Sequence, residues 1–230
     1  MKRIRTYIGV GVLSASSVLC PIIANAQTAA ASETTQGSLG KRYAGVGFSV
    51  FAPNHSSDNM YGAATGVNVP VTSFLDISGG YSYSWYKADA LDFYTYKSDS
   101  HSFDSRFVLY KKFAGGLKPF LSAGVGYSWF SMEIDSIYIS GGYKDKDDYA
   151  TWITTVGIEI PFRWIALTPT VGLGGNFRNE YSQNWSYGLQ ASSWITPKVG
   201  VFADVAYSEP RHNYGDSHAW SYSTGLRIKF

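Results

Sequence analysis

Read back from its C-terminal end, the chain alternates. Phe230, Ile228, Leu226, Thr224, Tyr222 and Trp220 occupy one set of every-second positions. Lys229, Arg227, Gly225, Ser223, Ser221 and Ala219 occupy the other. Successive side chains of a strand point to opposite faces of a sheet, so His218 to Phe230 is predicted as a strand between an apolar medium and a polar one.

The same period recurs along the chain from about residue 42. A first strand runs over about 42–52, with Ala44, Val46, Phe48 and Val50 on its apolar face. A second covers about 61–71 and a third about 74–87, whose apolar face reads Leu75, Ile77, Tyr81, Tyr83, Trp85. A polar loop is predicted over 88–101. The fourth strand, about 102–114, is phased by charge: with Phe103, Phe107 and Leu109 outward, Asp104, Arg106 and Lys112 turn inward. The opposite phase would place Arg106 in lipid, at a cost of about 2–4 kcal/mol near the midplane. A fifth strand (about 119–132), a loop over 133–148, and a sixth strand (about 149–162, Glu159 inward) follow. The seventh (about 164–177) contains Pro169, which lacks a ladder donor, so a bulge is expected there. Strands at about 183–195 and 198–208 precede the closing one. Ten strands result, with short and long connections in alternation. Eight is the alternative, if two segments merge or lie outside the wall.

The N-terminal end reads differently. Met1-Lys2-Arg3-Ile4-Arg5, an apolar stretch to Ile23 and the small-x-small site Ala24-Asn25-Ala26 have the grammar of a secretory signal peptide over 1–26, cleaved between Ala26 and Gln27. Cys20 raises a lipoprotein reading, but Val18-Leu19 before it do not fit a lipobox. Residues 27–40 lack periodicity and are expected to be a flexible periplasmic lead-in to a barrel over 41–230. The leader holds three of the 19 basic residues and no acidic one, leaving 16 basic against 17 acidic. Net charge therefore gives no case for nucleic-acid binding. Cys20 is the chain's one cysteine, so no disulfide or thiolate metal site is expected in the mature part.

No later stretch is long and apolar enough for a membrane helix. Only helices and closed sheets satisfy all backbone polar groups in lipid, so a membrane-embedded mature chain must be a barrel. Composition agrees: 18 Tyr, 24 Gly, 13 Phe and 7 Trp favour strands and tight turns. Trp85, Trp129, Trp152, Trp185 and Trp220 fall beside predicted long loops on the outward face, with Phe113, Phe162, Ile195 and Phe230 at the opposite ends. Two aromatic-rich girdles result. Ten residues separate Trp85 from Leu75, Trp152 from Phe162 and Trp220 from Phe230. At ~3.4 Å per residue and a tilt near ~40° this spans about 26 Å, close to an apolar band.

The closing stretch resembles that of bacterial outer-membrane β-barrels, which typically end on an aromatic residue. The resemblance implies that Phe230 is the signal read by the barrel-insertion machinery. The chain beyond about residue 40 resembles the opacity-type and OmpA-like family of small outer-membrane β-barrel proteins, all-β and antiparallel up-and-down. That family includes structural anchors, adhesins, small porins and a few enzymes. It implies outer-membrane lipid and lipopolysaccharide as surroundings, and an extracellular ligand contacted by loops.

The inward charges are Asp76, Asp104, Arg106, Lys112, Glu159, Asp204, Arg227 and Lys229. They read as a polar plug paired across the lumen, or as the lining of a small, weakly selective pore. The histidines His55, His101, His212 and His218 fall in or beside predicted outer loops, where solvated polarity explains them. Asp216-Ser217-His218 and Asp145-Lys146-Asp147 resemble the rim groups of omptin proteases, which implies His218 as base, Asp216 as its orienter, and Asp145 and Asp147 positioning water. Both motifs are short, and this chain is short for that family. A lipid A deacylase His-x-Ser, such as His55-Ser56-Ser57, sits in a loop. No phosphate loop, dinucleotide fingerprint or zinc spacing occurs, and no cofactor is expected. The leading function is a non-enzymatic surface barrel. A narrow porin-like channel is the alternative, and a rim protease a third.

Overall fold

The computed structural model describes residues 36–53, 59–90, 94–136, 139–178, 182–211 and 218–230. Ten antiparallel strands form a closed barrel: β1 (Tyr43–Pro53), β2 (Met60–Pro70), β3 (Leu75–Ala90), β4 (Tyr94–Tyr110), β5 (Lys118–Ser136), β6 (Ile139–Pro161), β7 (Ala166–Asn176), β8 (Asn184–Trp194), β9 (Val199–Pro210) and β10 (Ala219–Lys229). Each strand pairs with its neighbours in the sequence, and β10 closes on β1 from Tyr43↔Lys229 to Pro53↔Ala219. Closure leaves no edge within the wall, which is the condition for placing a sheet in lipid.

The faces are inverted relative to a soluble barrel. Val46, Phe48, Phe107, Val125, Val156, Leu226 and Ile228 are exposed on the outer wall. Ser82, Ser84, Ser102, Ser122, Thr155 and Ser221 are buried on the inner one. The outer aromatics pack on one another across strands, as Phe48, Tyr61 and Trp85 do with centroids about 6 Å apart. At the other end the connections are short. One is a turn in which Gly115 and Gly116 adopt φ of 74° and 82°, the left-handed region that favours glycine.

Three expectations are corrected. The predicted loops 88–101 and 133–148 are largely strand: β3–β4 pair out to Ala90↔Tyr94, and β5–β6 out to Ser136↔Ile139. Above the lipid band both faces of a strand are wet. Apolar alternation therefore ends before the ladder does. Pro169 makes no bulge. The β6–β7 register is unchanged on either side of it, and only the pairs at Ile158 and Glu159 are missing from the ladder. The register shift lies instead between Ile134 and Ser136, high on β5. Finally, residues 36–41 are no loose lead-in. Gly37, Ser38, Leu39, Gly40 and Lys41 are all buried inside the barrel.

Candidate functional site at the turn end of the lumen

The inward residues nearest the short turns come from every part of the ring. They are Tyr43 on β1, Asn68 on β2, Asp76 on β3, Lys118 on β5, Glu159 on β6, Trp194 on β8 and Lys229 on β10. Into this ring the chain inserts its own segment, Gln36 to Lys41. Glu159 Oε2 accepts the backbone N–H groups of Ser38 and of Leu39, the latter at 2.9 Å. Its Oε1 accepts Lys118 Nζ at 2.7 Å, and the same ammonium donates to the Leu39 carbonyl at 2.7 Å. Asp76 Oδ2 accepts the Gly40 N–H at 3.0 Å and the Asn68 amide at 3.3 Å. The Trp194 indole donates to the Gly37 carbonyl at 3.0 Å, and the Trp194 backbone N–H donates to Gln36 Oε1 at 2.7 Å. Irregular backbone placed inside a barrel must find such partners, because an orphaned buried amide costs about 1–3 kcal/mol.

The two glycines are required by this geometry. A Cβ at Gly37 would collide with the Glu159 carboxylate. Gly40 has φ of 82°. Between them, Leu39 packs on Val108 and Phe120, with Tyr110 against the cluster. Lys41 donates back to the Gly37 carbonyl, and its ammonium lies 5.2 Å from the centre of the Trp194 ring. Burial, aided by the nearby Lys229 and only partly offset by Glu159, pushes the Lys41 amine down to about 7.

Deeper in the lumen Arg227 is fully buried. It donates to Gln190 Oε1 at 2.8 Å and stacks 4.6 Å over Phe202 and 5.5 Å over Tyr43. Arg106 meets Asp104, two residues along the same strand, at 3.3 Å. Arg106–Asp104 and Lys118–Glu159 thus pair along the wall, Glu159, Lys118 and Asp76 also hold the inserted segment, and Arg227 is held by an amide and two rings. Asp204 is buried on β9. Lys229 lies 4.7 Å from the Trp194 ring. Lys112 is a correction: β4 ends at Tyr110, and Lys112 is exposed in the turn beyond it. Lys118, Trp194 and Lys41 were missed. The inward set Phe120, Ser122, Gly124 extends back by two to Lys118, so periodicity held the signal for that one.

At the opposite end, Trp85, Trp129, Trp185 and Trp220 are exposed on the outer wall and Trp152 is half-buried there. Phe113, Phe162, Ile195 and Phe230 are exposed at the turn end. His101 lies within β4, on the outer wall. Its ring stacks on Trp129 at 5.6 Å and its Nδ1 is 2.7 Å from the Tyr81 hydroxyl. The rim-protease grouping is not assembled among the described residues. His218 stacks on Tyr207, with Nδ1 2.9 Å from its hydroxyl. Asp147 is paired with Arg178 at 2.8 Å, and Asp145 accepts the Tyr143 hydroxyl at 3.1 Å. Asp216, His55 and His212 lie outside the described residues, as do Ala26 and Gln27.

Solved structures share this architecture. The transport unit of the autotransporter AIDA-I from Escherichia coli superposes with a TM-score of 0.52 at 12% identity, over 83% of this chain and 90% of that one. The fold is that of a bacterial outer-membrane β-barrel. The attachment invasion locus protein Ail of Yersinia pestis matches at TM-score 0.44 and 8% identity, over 83% of this chain and 98% of its own. Neisserial surface protein A matches at 0.42 and 14%, over 82% and 96%. No protein-family model and no curated protein sequence matches the chain.

Proposed function

We propose that the protein is a non-enzymatic barrel of the bacterial outer membrane, exported by residues 1–26, whose β3–β6 wall is a contact surface outside the cell. One observation carries this reading. β3 to β6 are 16, 17, 19 and 23 residues long, whereas the other six strands have 11 or 12. From Trp129, at the aromatic rim, β5 continues seven residues to Ser136. At ~3.4 Å per residue and the usual barrel tilt, this raises the sheet about 18 Å above the rim. Insertion by way of Phe230 and a lipopolysaccharide setting for the tryptophan rim belong to the same reading.

The projecting sheet has the features of a surface made to stay soluble. Lys97 pairs with Asp135 at 2.8 Å and Lys144 with Glu133 at 2.7 Å, both solvent-exposed. The β6–β7 ladder starts at Thr151↔Asn176, so among the described residues 139–148 of β6 have no strand on that side. Its Lys and Asp residues discourage edge-to-edge pairing. Arg178, just past β7, reaches Asp147 and Asp148. The test is attachment of intact cells to arrays of glycans and matrix proteins, comparing the full chain with a version whose β3–β4 and β5–β6 hairpins are trimmed to the rim. Attachment lost on trimming, with the barrel still folded, is the expected result. Equal attachment by both would sink the reading.

A further inference from the structure

The inserted segment does more than fill a gap, because of where its two ends are held. Gly37 is fixed by Trp194 on β8 and Gly40 by Asp76 on β3. In a ring of ten strands, the third and the eighth face each other. Residues 37–40 therefore sit within the bore, held from opposite walls, with a turn at Leu39–Gly40 and Leu39 pressed against β4 and β5. We propose that Gln36 to Lys41 form a resident plug that closes the turn end of the lumen, and that its release turns the barrel into a diffusion pore for small hydrophilic solutes.

Three observations support this. First, the contacts are those of a reversible latch. The segment is joined to the wall by hydrogen bonds to Glu159, Asp76, Lys118 and Trp194 and by one apolar side chain. It contributes no strand to the sheet, so the wall's ladder is complete without it. Second, small hydroxyl side chains recur on the inner wall between its buried aromatic and charged groups, among them Ser82, Ser102, Ser122, Thr155 and Ser223. Among the described residues the buried hydroxyls of Ser78, Thr155, Ser192 and Ser223 have no hydrogen-bond partner, so water entering the bore on release of the plug would satisfy them. Third, the charged groups that hold the plug, Lys118, Glu159 and Asp76, are uncovered by its departure. With Lys229 beside them and Arg227, Arg106, Asp204 and Asp104 deeper on the same inner wall, the charges number four of each sign. A lining so balanced favours neither cations nor anions strongly.

The inference is independent of what the projecting sheet contacts. Its test is single-channel recording of the refolded chain in planar bilayers in potassium chloride, with heat-modifiable gel migration as the folding control. Gly37→Val and Leu39→Asp change only the plug and leave the wall intact. The parent is expected to be mostly closed, with open-state occupancy raised about tenfold or more in each variant, equivalent to ~1.4 kcal/mol of plug docking. A potassium chloride gradient should give a reversal potential near zero in the open state. Parent and variants conducting alike would overturn the proposal, and so would variants that fold and stay silent. A second measurement stands if the variants do not fold. Ser38→Cys, a near-isosteric change, is compared with Ser73→Cys in an exposed turn at the same end, both in a Cys20→Ser background. A bulky hydrophilic thiol reagent should label position 38 about a hundredfold more slowly. Equal rates would overturn the plug.

Discussion

Lys118 and Lys144 each pair with a glutamate directly across the β5–β6 ladder, both at 2.7 Å, and the surroundings of the two pairs are opposite. Lys118–Glu159 lies at the turn end with side chains 5% and 1% exposed. Lys144–Glu133 lies on the projecting sheet at 68% and 33%. The hairpin, the residue types and the distance are shared, so the difference is environment alone. At the turn end the two charges have left water, and each remaining lone pair or proton must find a partner. The plug's backbone supplies those partners. On the projecting sheet water supplies them, and the pair can open freely. One ladder thus carries a structural latch at one end and a solvated surface at the other.

The largest expected effect is at the latch. Glu159→Gln leaves the Lys118 ammonium buried without its counter-charge and weakens the two plug amides that Glu159 holds. Breaking a buried pair from one side costs about 3–5 kcal/mol. Urea unfolding of the refolded barrel should show that loss, and the double variant Lys118→Met/Glu159→Met should recover most of it. If Glu133→Gln is as harmful as Glu159→Gln, the contrast between the two ends fails. Next in size is Leu39→Ala. It removes the plug's one apolar anchor from Val108 and Phe120, a truncation in the range of about 2–5 kcal/mol for a well-packed leucine. The loss is expected in plug docking, read as faster labelling at a cysteine placed at Ser38, with the unfolding of the wall little changed.

A smaller effect is expected from pH through Lys41. With the plug docked its amine titrates near 7, and once released it returns toward 10.5. Between those values the released plug binds more protons than the docked one, so docking strengthens as pH rises across that window. Below about 7 both forms carry the proton, and the penalty is constant. The groups around this amine are Lys229, Lys118 and Arg227, which disfavour its charge, and Glu159, which favours it. Open-state occupancy should therefore be lower at pH 9.5 than at pH 7.5. Lys41→Met should remove the difference, and its persistence in that variant would assign the effect to another group.

The wall of the barrel was legible in the sequence because lipid imposes a period of two on every strand. Val46 and Phe48 alternate with Gly and Ser, and Leu226 and Ile228 with Gly225, Arg227 and Lys229. The same reasoning failed wherever lipid was absent. Tyr94-Thr95-Tyr96-Lys97-Ser98-Asp99-Ser100-His101 has no apolar alternation, yet it is the upper part of β4, held by its ladders to β3 and β5. Those pairings are backbone hydrogen bonds to neighbouring strands, near in sequence on β3 and distant on β5, and a side-chain pattern does not contain them. The plug was hidden for a related reason. Gly37-Ser38-Leu39-Gly40 has no periodicity because its partners are carboxylates and an indole on β3, β6 and β8. Only closure of the barrel brings those groups to it. The inner charges Asp76, Glu159 and Arg227 were visible as inward positions, but whether they met one another or a backbone was not.

The smallest predicted effect completes the comparison from the other side. Lys144→Ala removes a cross-strand ion pair of the same length as the latch, on a part of β6 where the neighbouring groups are wet. An exposed pair gains little from Coulomb attraction, and holding two long side chains in register offsets much of that gain. Urea unfolding should be unchanged within error, in low salt and in high salt alike. A measurable loss that high salt abolished would show that the sheet above the rim behaves as a charge network, with Lys97–Asp135 and Arg178–Asp147 as further members. In that case the projecting half would owe its order to electrostatics, and the trimmed barrel would prove more salt-tolerant than the whole. An unchanged midpoint would leave the backbone ladders of β3 to β6 as what keeps the sheet upright, with its side chains free to meet a partner.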